Sequence, residues 1–279
     1  MVIGGIVMYE KNDLSKMMKI GIYFLSLFLL GIIGSYALSQ TVSVFQDNST
    51  RKLPIYCVER NDPVVSISFD AAWGNEDTAA ILDILKTYNV KATFFMTGGW
   101  VKNYPDDVKD IAQAGHDLGN HSLNHKQMSQ LSFAECENEI LTVNDMITKL
   151  TKKTPFLFRP PYGDYNNTVL DACKNSNCYC IQWDVDSLDW KNYGVDSIVT
   201  TVLNHKHLGN GSIILMHNGA KYTKEALPKV IEGLQSKGYT IIPISKLIYK
   251  NNFTIDTEGR QHPQSPATAM PTHQVTPNE

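Results

Sequence analysis

Side chains that could take part in catalysis or metal binding recur at the ends of short apolar runs in this sequence. The segment VVSISFDAAWG at residues 64–74 alternates large and small residues and then presents one carboxylate, Asp70. A lone carboxylate leaving a buried strand is costly unless a neighbouring group needs its charge. We therefore take Asp70 as the residue around which the other candidates must be arranged.

The segment GNHSLNH places His121 and His125 four residues apart. This spacing lets two imidazoles reach one metal ion from a helical turn. A zincin-type protease needs Glu directly after the first histidine, and Ser122 stands there instead, which argues against that class. The pair therefore consists either of metal ligands or of capping and core histidines.

The segment FRPPYG places Arg159 before two prolines that fix the following backbone. A guanidinium at a strand end could hold a carboxylate with two hydrogen bonds and keep it ionised. The alternative is a surface arginine in a rigid turn.

Three carboxylates, Asp184, Asp186 and Asp189, lie between two tryptophans in WDVDSLDW, and SIILMHNG delivers His217 at the end of an apolar run. The first pattern favours a pocket wall with an orienting carboxylate over a solvated charge run. A histidine oriented by a carboxylate is a candidate general acid or base, and the alternative is a core histidine.

Alternating strands and helices must position these groups. We predict strands at residues 64–69, 92–96, 116–118, 156–158, 179–183, 212–216 and 239–242, and helices at 76–88, 106–114, 132–150, 168–174, 197–205 and 224–236. The long helix begins at a capping-box signature, Ser132 and Glu135. This order is typical of an α/β fold with parallel strands, as a distorted (β/α) barrel of about seven strand-helix units or an open doubly wound sheet.

The C-terminal ends of parallel strands share one face, where active sites are built. Each candidate follows such an end, so we expect them to converge there. These candidates are Asp70, the segment from His121 to His125, Arg159, Asp186 and His217.

Composition restricts the functional classes. The chain has 279 residues, 43% of them apolar, and a net charge of -3. This length supports one core, and a nearly neutral charge gives no indication of a nucleic-acid partner.

The termini differ from the centre. Residues 20–38 carry no charge and follow a basic flank, which predicts a transmembrane anchor within residues 1–39, or a signal peptide cleaved near Ser39. We then expect a polar linker at 40–62, the catalytic domain at 63–250 and a disordered tail at 251–279 with solvated histidines. The location would be the cell membrane, single-pass with an extracytoplasmic domain, or secreted.

The five cysteines are an odd number, so at least one is unpaired within the chain. We expect free buried thiols, and a disulfide closing the short loop from Cys173 to Cys178 is the alternative.

Together, FDAAWG, HSLNH, RPPYG, DSLDW and the Leu-x-His at residues 215–217 resemble, in order, the five motifs of the polysaccharide deacetylase family. This is carbohydrate esterase family 4, with a NodB-homology domain, and the resemblance covers about residues 64–248. It implies a distorted barrel of strand-helix units and hydrolytic removal of N-acetyl groups from sugars of a cell-wall polysaccharide. The implied partner is a glycan of N-acetylglucosamine or N-acetylmuramic acid. Peptidoglycan is the favoured polymer, because the chain resembles sporulation and peptidoglycan deacetylases.

The resemblance also implies residue roles. Asp70 would be the catalytic base held by Arg159, and His217 the acid oriented by Asp186. His121 and His125 would bind a divalent metal, usually zinc. The substrate-binding residues would be Pro161, Tyr162, Trp190 and Leu215.

The sequence departs from the family at one position, because Ala71 replaces the aspartate that is the third metal ligand. Some relatives resembling sporulation and muramic-acid deacetylases depart there too. The second hypothesis is therefore a catalytically degenerate deacetylase that has become a glycan-binding module.

Overall fold

The structure is a computed structural model that describes residues 51–264 together with Lys19 and Phe24. The strands are β1 (Cys57–Val58), β2 (Val64–Ala71), β3 (Thr93–Met96), β4 (Asp117–Asn120), β5 (Leu157–Phe158), β6 (Tyr179–Cys180), β7 (Val185–Asp186), β8 (Ile213–His217), β9 (Thr240–Ile241), β10 (Phe253–Ile255) and β11 (Arg260–Pro263). The helices are α1 (Thr78–Thr87), α2 (Gly98–Asn103), α3 (Pro105–Gln113), α4 (Phe133–Thr151), α5 (Asn167–Asn175), α6 (Val195–Leu203), α7 (Thr223–Ser236) and α8 (Ile244–Leu247).

The main sheet is parallel and curled, with strand order β6-β5-β4-β3-β2-β8-β7, and β9 pairs with the start of β2. In the part of the chain that the structure describes, the order does not close, so the sheet forms a half-barrel. The expected α/β class is confirmed. Because every strand runs the same way, the C-terminal ends of β2, β4, β5 and β8 meet at one rim.

Strand β2 forms the centre of the sheet, and its eight residues are all buried. Val65, Ile67 and Phe69 point into the main apolar cluster, where helix side chains pack on the sheet. Ser66 and Ser68 point to the opposite face, where their hydroxyls donate to Ile242 O and Ile214 O at 2.6 and 2.9 Å. Because both hydroxyls have hydrogen-bond partners, this polar face can accept charged neighbours without leaving a buried polar group unpaired.

Helix α4 begins as its sequence signature predicts. The Ser132 hydroxyl accepts from Glu135 N, and the Glu135 carboxylate accepts from Ser132 N at 2.8 Å, which completes the capping box.

The linker and tail boundaries were wrong within the described residues. Residues 251–264 were expected in a disordered tail, but β10 and β11 lie there, and β11 pairs parallel with β1. Gln261 is buried, and its amide both accepts from and donates to the backbone of Tyr249 at 2.9 and 2.7 Å. His262 was expected to be solvated, but its Nε2 forms a hydrogen bond with Asp256 Oδ2 at 2.8 Å.

The expected linker at 40–62 also contributes to the core, because Ile55 and Val58 are buried. Ile55 N donates to Cys180 O at 2.9 Å, and Ile55 O accepts from Gln182 N at 2.7 Å. Val58 N donates to Gly211 O at 3.0 Å. Gly211 has φ +83°, and a side chain there would overlap Val58 O, so this approach requires glycine.

The five cysteines are free and buried, as expected, and none forms a disulfide. Among the described residues no helix is long and apolar enough to cross a membrane. The anchor expected within residues 1–39 lies outside the described residues, apart from Lys19 and Phe24.

Candidate functional site

Asp70 and Arg159 form a buried ion pair at the rim of the sheet. Arg159 follows β5, and its Nη1 donates to Asp70 Oδ1 at 2.7 Å. Its Nη2 donates to Ser68 Oγ at 2.8 Å, and the guanidinium lies 4.1 Å from the centre of the Phe95 ring. Burial alone would raise the pKa of Asp70, but the Arg159 charge, with those of His121 and His217, holds this pKa below its ordinary value.

His121 follows β4 and faces the same carboxylate. Its Nδ1 lies 2.8 Å from Arg159 O, so Nδ1 carries the proton and donates to that carbonyl. The unprotonated Nε2 then faces Asp70 Oδ2 at 3.5 Å. Burial lowers the pKa of His121 to about 4, which keeps this imidazole neutral at physiological pH. A neutral imidazole with its second nitrogen held by a carbonyl is prepared to bind a metal.

His121 and His125 lie together, with ring centres 5.0 Å apart. The expectation of a helical turn was wrong, because Ser122 and His125 have φ of 67° and 52° and the segment is a loop. The Ser122 hydroxyl accepts from His125 N at 3.0 Å. Glu139 of α4, 3% exposed, accepts from Asn124 N and Nδ2 at 2.8 and 2.7 Å.

Asp189, rather than Asp186, contacts His217. Asp189 Oδ1 accepts from His217 Nδ1 and its Oδ2 from His217 N, both at 2.7 Å, while Thr223 Oγ1 also donates to Oδ2. The Asp186 carboxylate instead accepts from Leu188 N at 2.9 Å. The backbone of Leu188 has the left-handed conformation, and the 3₁₀ turn Asp189–Lys191 that follows brings Asp189 to β8. Burial would lower the pKa of His217, but the hydrogen bond and charge of Asp189 outweigh it and raise this pKa.

These groups open into one pocket of about 510 Å³. It is lined by Asp70, Ala72, Trp73, His121, His125, Tyr162, Trp183, Asp186, Trp190, Leu215 and His217. Of the residues to which the resemblance assigns catalytic, metal-binding or substrate-binding roles, Arg159 and Pro161 do not line it. Arg159 lies behind Asp70, and Pro161 is buried beside Tyr162. The Tyr162 ring packs edge-on to His125 with centres 4.6 Å apart.

Sequence reasoning named Asp189 among three candidate carboxylates but gave the orienting role to Asp186, and it gave Trp73 no place in the pocket. The two tryptophans around these carboxylates do line the pocket, as the segment predicted. The spacing in DSLDW presents two equally suitable carboxylates, and only the turn between them selects Asp189. Trp73 had a local signal, because a large aromatic residue directly follows the short segment after Asp70.

The donor atoms fit a divalent metal in part. His121 and His125 offer neighbouring imidazoles, and the tautomer of His121 leaves Nε2 free for a ligand. Ala71, at the position where the resemblance places a third ligand, is fully buried in the main apolar cluster. Across residues 51–264 no group of three His, Cys, Asp or Glu side chains is arranged to hold a metal ion. A metal at this site therefore has two protein imidazoles to bind.

Comparison with known proteins gives a consistent result. The family of polysaccharide deacetylases matches residues 58–181. A peptidoglycan-N-acetylglucosamine deacetylase of Bacillus cereus is 36% identical over 200 residues, covering 70% of this chain and 92% of that protein. The uncharacterized protein YlxY of Bacillus subtilis is 35% identical over 195 residues, covering 70% of this chain and 60% of that protein.

A solved structure has the same fold. A CE4 family pseudoenzyme from Bacillus anthracis superposes with a TM-score of 0.67 at 33% identity, covering 76% of this chain and 73% of that chain.

Proposed function

Because the chain belongs to the polysaccharide deacetylase family, we propose that it hydrolyses the N-acetyl groups of sugars in peptidoglycan and releases acetate. The observation that carries this proposal is the pairing of charges within one pocket. Asp70 is held ionised by Arg159, and His217 is held by Asp189, so one group can accept a proton while the other donates one.

The proposed reaction assigns one proton transfer to each group. Asp70 accepts a proton from the water that attacks the acetamide carbonyl. His217, protonated at Nε2 and fixed through Nδ1 by Asp189, donates its proton to the amine nitrogen as the C–N bond breaks. The low pKa of Asp70 and the raised pKa of His217 favour these starting protonation states.

The remaining pocket residues surround the acetyl group in this proposal. Leu215, the half-exposed Trp190 and Tyr162 line the pocket, where Tyr162 lies beside His125, and the buried Pro161 precedes Tyr162 in the chain. A backbone N–H near Tyr162 would stabilise the developing oxyanion.

We propose that His121 and His125 bind a divalent metal, with Zn²⁺ as the favoured ion because imidazole suits it. When bound, such an ion polarises a carbonyl oxygen and lowers the pKa of water. The apolar run at residues 20–38 supports the further proposal that the chain is anchored in a membrane or exported across it, where peptidoglycan is accessible.

Acetate release tests the function. The purified full chain, supplied with Zn²⁺ and peptidoglycan, is expected to release acetate, and mass analysis of the product assigns the reaction to N-acetylglucosamine or N-acetylmuramic acid. Asp70→Asn should reduce the rate at least 100-fold, whereas Asp83→Asn, at an exposed position on α1, should leave it unchanged. A chain that releases no acetate from any N-acetylated glycan contradicts the proposal.

The buried Ala71 favours one alternative, a degenerate deacetylase that binds glycan without turnover. Ala71→Asp discriminates between the two functions, provided its unfolding temperature shows that the variant is folded. Activity that appears from zero supports the binding module, and a modest change in an existing activity supports the enzyme.

A further inference from the structure

Trp73 lies directly against the proposed general acid. It follows β2, and its indole stacks on the His217 imidazole with ring centres 5.2 Å apart and planes inclined by 23°. The residue lines the pocket and is 50% exposed. One face of the indole is therefore covered by His217, and the other faces solvent.

The segment that carries Trp73 is fixed on both sides. Gly74 O accepts from Trp100 Nε1 at 3.2 Å and from Asn218 Nδ2 at 3.1 Å. Asn218 is fully buried beside His217, and its backbone N donates to Asp70 O at 3.0 Å. The loop that holds the indole, the proposed base and the proposed acid thus share one hydrogen-bonded unit, so the exposed ring has a defined position.

An ordered indole with an exposed face is suited to bind a flat apolar surface. A pyranose ring offers such a surface through its axial C–H groups, and aromatic rings gain affinity by covering it. Two more exposed aromatic residues, Tyr162 and Trp190, line the same pocket, so Trp73 extends an existing aromatic rim.

We propose that Trp73 is a specificity-determining residue that stacks on a sugar ring adjacent to the one being deacetylated. The proposal rests on the proposed function, because it takes the ligand to be an N-acetylated glycan. The indole lies between His217 and the bound sugar ring, and this order determines which sugar of the glycan Trp73 binds. The reacting nitrogen must approach the free edge of His217, whereas a ring on the outer face of the indole is separated from the imidazole by the indole itself.

The stacking role predicts an effect on binding that increases with glycan length. The probes are a disaccharide and a tetrasaccharide of alternating N-acetylglucosamine and N-acetylmuramic acid, prepared from peptidoglycan. For the full chain, Trp73→Ala is expected to raise the KM and the Kd of the tetrasaccharide about tenfold while kcat changes less than threefold. Trp73→Phe should retain most of the affinity because it keeps an aromatic face, and the disaccharide should be affected less.

Phe133→Ala is the matched control, because Phe133 is an exposed aromatic residue at the start of α4 outside the pocket lining. Its constants should equal those of the unmodified chain. A tetrasaccharide Kd that stays within twofold in Trp73→Ala, or a loss confined to kcat, would overturn the stacking role. If the unmodified chain binds glycan but releases no acetate, deacetylation fails as the function, and the Kd comparison still decides the role of Trp73.

Discussion

The guanidinium of Arg159 and the carboxylate of Asp70 are paired at 2.7 Å with both side chains buried. Arg159 also donates to Ser68 and to the Gln182 carbonyl, and its Nε has no hydrogen-bond partner among the described residues. A buried pair of this kind keeps Asp70 ionised, but each charge depends on the other.

Arg159→Met should therefore affect both stability and catalysis. The substitution leaves Asp70 buried without its counter-charge, which should cost about 3–5 kcal/mol of unfolding free energy at pH 7. It should also raise the pKa of Asp70 and move the acid limb of kcat/KM to higher pH. Denaturant unfolding and the pH–rate profile measure the two effects. Lys109→Met, which removes the exposed pair with Asp106, should cost less than about 1 kcal/mol.

Asp189→Asn should reduce kcat by a factor on the order of 10² to 10⁴, because the asparagine no longer holds His217 in the required tautomer. Asp189 raises the pKa of His217, and an acid must be protonated to act. Activity is lost as the pH rises through this pKa, so the variant should lose activity at a lower pH than the unmodified chain.

The matched comparison is Asp186→Asn, three residues earlier. Its carboxylate accepts from Leu188 N and makes no hydrogen bond to His217 in the described structure. The loss in kcat should be smaller, with little movement of the basic limb. Equal losses in the two variants would contradict the assignment of Asp189.

Asp184 should make stability depend on pH. Burial raises the pKa of Asp184 to about 6, although hydrogen bonds from Ile213 N and Ser212 Oγ oppose the shift. The folded chain then binds more protons than the unfolded chain between pH 4 and 6, so this group lowers stability as pH rises through that window. The full effect is about 3 kcal/mol and persists above pH 6.

Asp184→Asn removes this titration and preserves the hydrogen-bonding pattern, since its Nδ2 can donate to Ser212 Oγ while Oδ1 accepts from Ile213 N. The difference in unfolding free energy between the variant and the unmodified chain should increase in favour of the variant as the pH rises from 4.5 to 7.5. Denaturant unfolding at both pH values measures this difference. A difference that does not change with pH would refute the role of Asp184.

Glu139→Gln should weaken metal binding without touching an imidazole. Glu139 holds the loop between the two histidines through Asn124, and a glutamine can accept only one of the two bonds. We expect the affinity for Zn²⁺ to fall about 10- to 100-fold in competition with a chromophoric chelator. Glu137→Gln on the same helix is the control, because the Glu137 carboxylate accepts from Asn175 Nδ2 and not from the loop of the two histidines. Equal affinities in both variants would count against the role of Glu139.

Local signals account for what the sequence predicted well. Apolar alternation in β2 and the capping box of α4 lie within short segments, and the structure reproduces both. Asp70, Arg159 and His217 could be placed together because the sequence predicts each of them at the C-terminal end of a parallel strand.

The errors arose where distant contacts or single dihedral angles decide the structure. A spacing of four fits a helix, but the positive φ of Ser122 and His125 makes a loop. The left-handed Leu188 brings Asp189 rather than Asp186 to His217. Residues 251–264 look disordered by composition, yet β11 is ordered by pairing with β1, which local composition does not reveal.

The β1–β11 pairing has a consequence for the order of folding. Cys57 and Val58 pair with Arg260 and Gln261, so this edge joins segments about 200 residues apart. Contacts of such high sequence separation slow folding, because the intervening chain must first become compact. During synthesis the domain cannot complete this edge until residue 261 has emerged from the ribosome. A nascent chain that stops at residue 250 keeps one side of β1 open to other strands.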